Sequence, residues 1–309
     1  MDLAVITLNQ VIILFVLMAV GIICNRLNIL NAEAKRILSG LLMKVIVPCM
    51  IINSYVAEFN LEILHNLIFT FVLSFILIMT GFVITFFVTI RINKDSRDLI
   101  RFATIYSNAA FMGFPLIQAL FGSKGLLYAS AYVTVFNLLL WTQGVIMVSG
   151  SANLKQSAKN LLSTPVLFAV ALGLIIYLCR IPIPALILNP LQLIGNMNTP
   201  ISMFITGMII SENKLLEFIK DPYVWLATVL RLLMIPVICF VLAYALKLSG
   251  MHSQVALLLE AAPCASITSV FAVQYHRNEK LAAGMVVIST LLSIITLPVC
   301  AYIMTFLVR

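Results

Sequence analysis

Two short segments hold residue types that could bind a ligand inside an otherwise apolar chain. The first, Asn108-Ala-Ala-Phe-Met-Gly113-Phe-Pro115, sets an amide, a glycine and a proline within about two helical turns. Pro115 has no N–H and crowds the turn before it, and Gly113 tolerates unusual dihedrals, so a helix opens there and its backbone groups need other partners. The second, Glu260-Ala-Ala-Pro263-Cys-Ala-Ser266-Ile-Thr268-Ser269, repeats the theme. A half-helix that starts after such a break offers free N–H groups and positive partial charge, for which an anion is the natural ligand. Asn108 could give two donors to a carboxylate without the cost of a buried charge, or could serve as packing glue between helices. Ser266 and Thr268 either join that site or cap the carbonyls freed by the break. Glu260 is the one acidic residue inside an apolar run. It is expected either to bind a coupling proton or sodium ion, or to pair with a base at the rim.

The elements that hold these residues follow from composition. The chain has 309 residues, of which 62% are hydrophobic and 10% charged, too apolar for a soluble core. Ten runs are long enough for a bilayer helix: 5–24, 37–56, 63–90, 99–121, 126–148, 164–179, 183–210, 223–246, 253–275 and 281–308. The expected class is therefore an all-α integral membrane protein with ten transmembrane helices. Met1-Asp2 gives no basic region and no small-residue cleavage site follows, so the first run is expected to be retained.

Thirteen Lys and Arg residues lie in the loops after odd-numbered runs, including Arg91, Lys94, Arg97 and Arg101; only Lys124, Arg180, Lys247 and Arg309 lie on the other side. Positive residues stay cytoplasmic, so both termini are expected on the non-cytoplasmic face of a cell membrane. The net charge of +8 is thereby explained by topology rather than by nucleic acid. An odd number of spans per half would invert one half against the other. An offset of 152 sets Pro48 on Pro200, and an offset of 155 sets Asn108 on Pro263 and the turn at Ser123-Lys124 on Asn278-Glu279. Residues 1–150 and 151–309 are thus expected as inverted five-helix repeats, with broken helices in runs four and nine.

Other functions lack their residues. There is no His-Glu-x-x-His helix, no pair of buried Asp, no Gly-x-Ser-x-Gly elbow and no chain of carboxylates for a proton pump. No enzyme activity, cofactor or metal is expected, and the six cysteines have no zinc-type spacing. Asn137, alone in the fifth run, could touch substrate or bond to a neighbouring helix. Lys44 and Arg231 lie roughly 10–14 Å from the cytoplasmic start of their helices and are expected to snorkel to that interface, with attraction of anions as the second reading. Tyr132 and Trp141 are read as packing or lipid-facing.

Several of these residues resemble the auxin efflux carrier family, which includes plant auxin carriers and bacterial permeases for malate and malonate. The likeness lies in the Asn108 to Pro115 segment followed by Leu120-Phe121-Gly122, in Ala262-Pro263 followed by Val270-Phe271-Ala272 and Tyr275, and in Val47-Pro48. It implies a bile-acid-symporter-like fold with a scaffold from runs one, two, six and seven and a transport core from runs three to five and eight to ten. It also implies elevator-type movement, substrate where runs four and nine cross, Asn53 and Ser54 facing that crossing, and a homodimer through the scaffold. The short segment 150–163 suggests a bacterial-type member, and Thr268 stands where plant members have a second proline. The expected function is secondary transport of a small organic anion such as malate, malonate or an auxin-like acid; a passive channel or receptor-like scaffold is the alternative.

Overall fold

A computed structural model describes residues 3–150, 164–212 and 215–307. The short segment after Gly150, with Lys155 and Lys159, and the boundary expected between residues 150 and 151 lie outside the described residues, as do Lys214 and Arg309.

Among the described residues all regular structure is helical. Seven helices are long and apolar enough to cross a membrane: Val5–Arg26, Ala32–Tyr55, Leu61–Val88, Ala109–Ser149, Ala185–Ser211, Pro222–Ala245 and Glu279–Met304. Ten such helices were expected, and the difference has a physical reason. The sixth run forms only the 14-residue helix Pro165–Leu178. The ninth is divided into Gly250–Glu260 and Ile267–Gln274, each too short to pass. The fourth is divided too, into Lys94–Ile105 and a second part that begins at Ala109 and runs on into the fifth. The expected turn at Ser123-Lys124 is a sharp kink one residue earlier: Gly122 has φ 59° and ψ −151° inside Phe114–Leu139, a conformation open only to glycine without strain.

Helix starts carry their signals. The Asn31 side chain accepts from the Ala34 N–H at 2.9 Å, Asn60 from the Glu62 N–H at 2.7 Å and Asp221 from the Tyr223 N–H at 2.9 Å, each satisfying a donor that the first turn leaves over.

Three prolines inside the spans follow a widened turn instead of ending the helix, whereas Pro190 and Pro298 lie within α-helices. The turns Leu42–Ile46, Ala109–Gly113 and Leu230–Met234 are π-helical, and each ends two residues before a proline, Pro48, Pro115 and Pro236. The residue ahead of each proline donates five residues back: Val47 to Leu42, Phe114 to Ala109 and Ile235 to Leu230. A proline clashes with the carbonyl four residues before it, and the extra residue in the turn relieves the crowding. The turn ahead of Pro115, Ala109–Gly113, is therefore widened rather than broken, and the true break falls before it.

Packing relies on small residues, as expected where lipid removes the hydrophobic drive between helices. The first helix, Leu3–Arg26, crosses Asn198–Ser211 with backbones in contact: a Cβ on Gly207 would lie 2.1 Å from the Met18 carbonyl oxygen, and one on Gly21 would lie 2.5 Å from that of Phe204. Gly173 likewise admits the Tyr55 ring. Helix Val47–Tyr55 packs on Pro165–Leu178 and Ala185–Asn196, while Leu61–Val88, Phe114–Leu139 and Gly250–Glu260 pack together as a second group. Large apolar side chains such as Phe87 and Leu186 point outward, as a lipid-facing surface requires.

Candidate functional site

The breaks in runs four and nine meet. Residues 106–108 and 261–266 are non-helical, and they lie antiparallel to one another with Ser107 bridged to Cys264. The Asn108 N–H donates to the Pro263 carbonyl at 2.8 Å, and the Ala265 N–H donates to the Tyr106 carbonyl at 2.9 Å. The Cys264 N–H donates to Ser289 Oγ at 3.1 Å. Backbone polar groups freed in a membrane interior must find partners in protein or a cavity, and each break supplies partners for the other. Asn108 does not precede its break, as the sequence suggested; it closes it, as the cap of the π turn, and its own carbonyl accepts from Met112 and Gly113.

Two helix N-termini begin at this crossing, at Ala109 and Ile267. Around them lie buried polar atoms without partners: Asn108 Nδ2, Ser266 Oγ, Thr268 Oγ1 and Ser269 Oγ. Asn108, Ser266 and Thr268 are 2%, 5% and 0% exposed, so solvent at the protein surface does not satisfy them. Gly113 brings the two broken runs close, since a Cβ there would sit 2.5 Å from Leu259 Cδ2. Pro115 lies two residues on and sets the π turn that carries Gly113.

The ionisable residues are placed differently from expectation. Arg231 does not snorkel to an interface; it is fully buried. Its Nε donates to the Ala262 carbonyl at 2.8 Å, and its Nη1 to the carbonyls of Thr104 at 2.9 Å and Ile105 at 3.2 Å. Nη1 also meets Glu260 Oε1 at 3.0 Å, and Nη2 donates to the Glu260 carbonyl. Glu260 is equally buried, so it is no rim residue, and its second oxygen accepts from the Tyr132 hydroxyl at 2.6 Å. Tyr132 is not lipid-facing packing but a link in this network, because Ser107 Oγ lies 3.1 Å from the same hydroxyl. The burial of Arg231 was not legible in the sequence because run eight is apolar on every side, leaving no polar stripe to reveal which face turns inward. Its place in the widened turn before Pro236 is the signal that was present. Lys44, by contrast, is exposed.

Among the described residues, three other candidates share no hydrogen bond with either break. Ser54 is spent on its own helix, donating to the Ile51 carbonyl at 2.7 Å, and it lines a cavity of about 40 Å³ with Ser123, Lys124 and Tyr128 beside the Gly122 kink. Asn53, half-buried, is on the same helix end, and its carbonyl accepts from Val56. Asn137 turns back on its own helix, Nδ2 donating to the Val133 carbonyl at 2.8 Å. A larger cavity of about 460 Å³ opens between residues 55–59 and 176–183, with Arg180 over the Phe59 ring at 4.4 Å, but no break residue lines it.

Two features were missed. Asn198 is fully buried with neither amide atom partnered, and it begins Asn198–Ser211, which packs against the Ala109–Gly113 turn. The signal was the amide-rich Asn196-Met-Asn198-Thr-Pro200, a polar approach to a proline like that at Asn108. Ser289, Thr290 and Ser293 form a polar face on the last helix; Ser293 Oγ lies 3.6 Å from Met112 Sδ, and Thr290 Oγ1 has no partner. Their spacing on one helical face was legible in run ten.

The chain matches a family profile described as membrane transport protein over residues 6–160 and again over 151–301. An uncharacterized transporter of Methanothermobacter thermautotrophicus is 26% identical, over 94% of this chain and 96% of its own length. One from Methanocaldococcus jannaschii is 24% identical over 97% of this chain and 99% of its own. The uncharacterized transporter YfdV of Escherichia coli is 21% identical over 94% and 95%.

Proposed function

The chain belongs to the auxin efflux carrier family of membrane transport proteins, and on that premise we propose that it is a secondary carrier for a small organic anion held where runs four and nine cross. One observation carries this reading: two helix N-termini meet there with buried donors that have no partner, Asn108 Nδ2, Ser266 Oγ and Thr268 Oγ1. Leaving such groups unpaired is costly, and a carboxylate would satisfy several at once. The buried carboxylate beside them, Glu260, is neutralised by Arg231 and does not repel an anion. Asn198 supplies a further amide from the opposite helix group.

Ten crossings in two inverted halves, 1–150 and 151–309, also belong to this proposal. The seven long apolar helices, the short helix Pro165–Leu178 and the two divided runs support that number. The pairing of Asn108 with Pro263, the residues matched by the offset of 155, supports the inversion. The packing of Val47–Tyr55 with its two neighbours, and of Leu61–Val88 with Phe114–Leu139 and Gly250–Glu260, supports a scaffold and a moving core, which would meet where Leu3–Arg26 packs on Glu279–Leu307.

Asn108→Ala removes two donors from a charged ligand. At about 1.5–3 kcal/mol for hydrogen bonds to a charged group, apparent affinity for the carboxylate should fall by roughly 10- to 100-fold with the folded yield unchanged. Binding of radiolabelled malate, malonate and indole-acetate to the purified protein measures it; unaltered binding would return Asn108 to a packing role. Orientation is tested separately, on a cysteine-free background. A cysteine at Lys94 should react with an impermeant thiol reagent only from the cytoplasmic face, one at Lys124 only from the other; the reverse pattern would overturn the topology.

A further inference from the structure

The oxygens around Arg231 come from the ends of two different helices. Thr104 and Ile105 close Lys94–Ile105; Glu260 closes Gly250–Glu260, and Ala262 lies in the break just beyond. The last carbonyls of a helix have no intrahelical partner and form the negative end of its dipole. Here two such ends converge deep in the protein with a carboxylate between them. A cluster of backbone carbonyls with one carboxylate is the oxygen-rich environment that hard metal cations take as ligands, and without positive charge it would be strongly unfavourable. The guanidinium meets all of it, with donors to four carbonyls and to Glu260. Its planar fork is permanently charged and covalently tethered, so this charge cannot leave during a transport cycle.

We propose that Arg231 is a resident cation, filling at the crossing the place of a dissociable one, so that the carrier moves its anion without binding sodium. The negative helix ends are discharged permanently, and the positive N-termini on the other side of the same breaks are left for substrate. The inference rests on the carrier reading for its transport arm and on the oxygen cage alone for its stability arm.

The test uses the full-length protein. In the wild type, replacing sodium by N-methylglucamine should change neither the unfolding temperature in detergent nor anion uptake by reconstituted vesicles. Arg231→Ala empties the cage. Its unfolding temperature should drop and then recover in millimolar guanidinium, but not in urea, which has the same planar shape without the charge. Its uptake should return with guanidinium or become dependent on sodium, which a purely structural loss would not produce. A wild type whose uptake fails without sodium, or an Arg231→Ala protein that responds alike to guanidinium and urea, would overturn the proposal. Should Arg231→Ala not fold, Arg231→Lys keeps a charge but not the fork. It should fold with a lowered unfolding temperature and sodium-indifferent uptake, and sodium-dependent uptake by that variant would count against the resident cation. If no form transports any anion the carrier reading falls, and the contrast between guanidinium and urea still decides for or against the caged cation.

Discussion

Replacing Glu260 by alanine should destabilise the protein by about 3–5 kcal/mol, enough to remove most folded material, because it strands Arg231 as an unpaired charge in a fully buried site. The loss would exceed that of an ordinary cavity. Tyr132 would lose its acceptor at the same time, and with it the contact that holds its hydroxyl beside Ser107 at the break. Glu260→Gln keeps the shape but only one of the two acceptors, because its amide nitrogen donates, and it gives up the charge, so it should fall between wild type and Glu260→Ala. Unfolding temperatures of the three proteins in one detergent order them directly. A Glu260→Ala protein as stable as wild type would mean that Arg231 is satisfied by the four carbonyls alone, and that Glu260 is free for another task.

A comparable loss is expected far from any ligand. Gly207→Ala puts a methyl group where the Met18 carbonyl oxygen lies 2.1 Å away, and that oxygen belongs to a helix backbone that cannot swing aside. Overpacking usually costs about 1–3 kcal/mol, and contact with backbone puts this case at or above the top of that range. Gly40 gives the contrast: nothing lies within 4 Å of a Cβ placed there, so Gly40→Ala should be neutral or slightly stabilising through helix propensity. Detergent unfolding curves for the two variants separate the effects. Equal curves would show that the first helix and Asn198–Ser211 do not pack with their backbones in contact.

How much could be read in advance differs from residue to residue. Both divided runs were legible, because proline, glycine and polar side chains in an apolar run have few physical explanations. That Asn108 and Pro263 should pair was legible only as an offset between halves, since the sequence carries no distance. The position of the fourth-run break was misjudged because Pro115 drew attention to itself, whereas proline at the start of a helical stretch is well tolerated once the preceding turn widens. The shortfall from ten long helices arose because a run of apolar residues reports hydrophobicity, not continuity of its hydrogen bonds. Arg231 and Glu260 could not be paired from sequence: they lie 29 residues apart on different helices, and which faces meet is decided by packing. Ser54 and Asn137 show the opposite error. A polar side chain in a membrane helix has its own backbone carbonyls within reach, and both residues took that nearest partner.

On the reading proposed above, the crossing of runs four and nine carries an organic anion through the membrane. Uptake of radiolabelled malate, malonate and indole-acetate by vesicles reconstituted with wild type or Asn108→Ala tests it most directly. Saturable uptake of at least one carboxylate, competition by its analogues, and an apparent affinity weakened roughly 10- to 100-fold in the variant are expected. Wild-type vesicles that take up none of these anions above protein-free controls, or a variant with unaltered affinity for the one they transport, would contradict it.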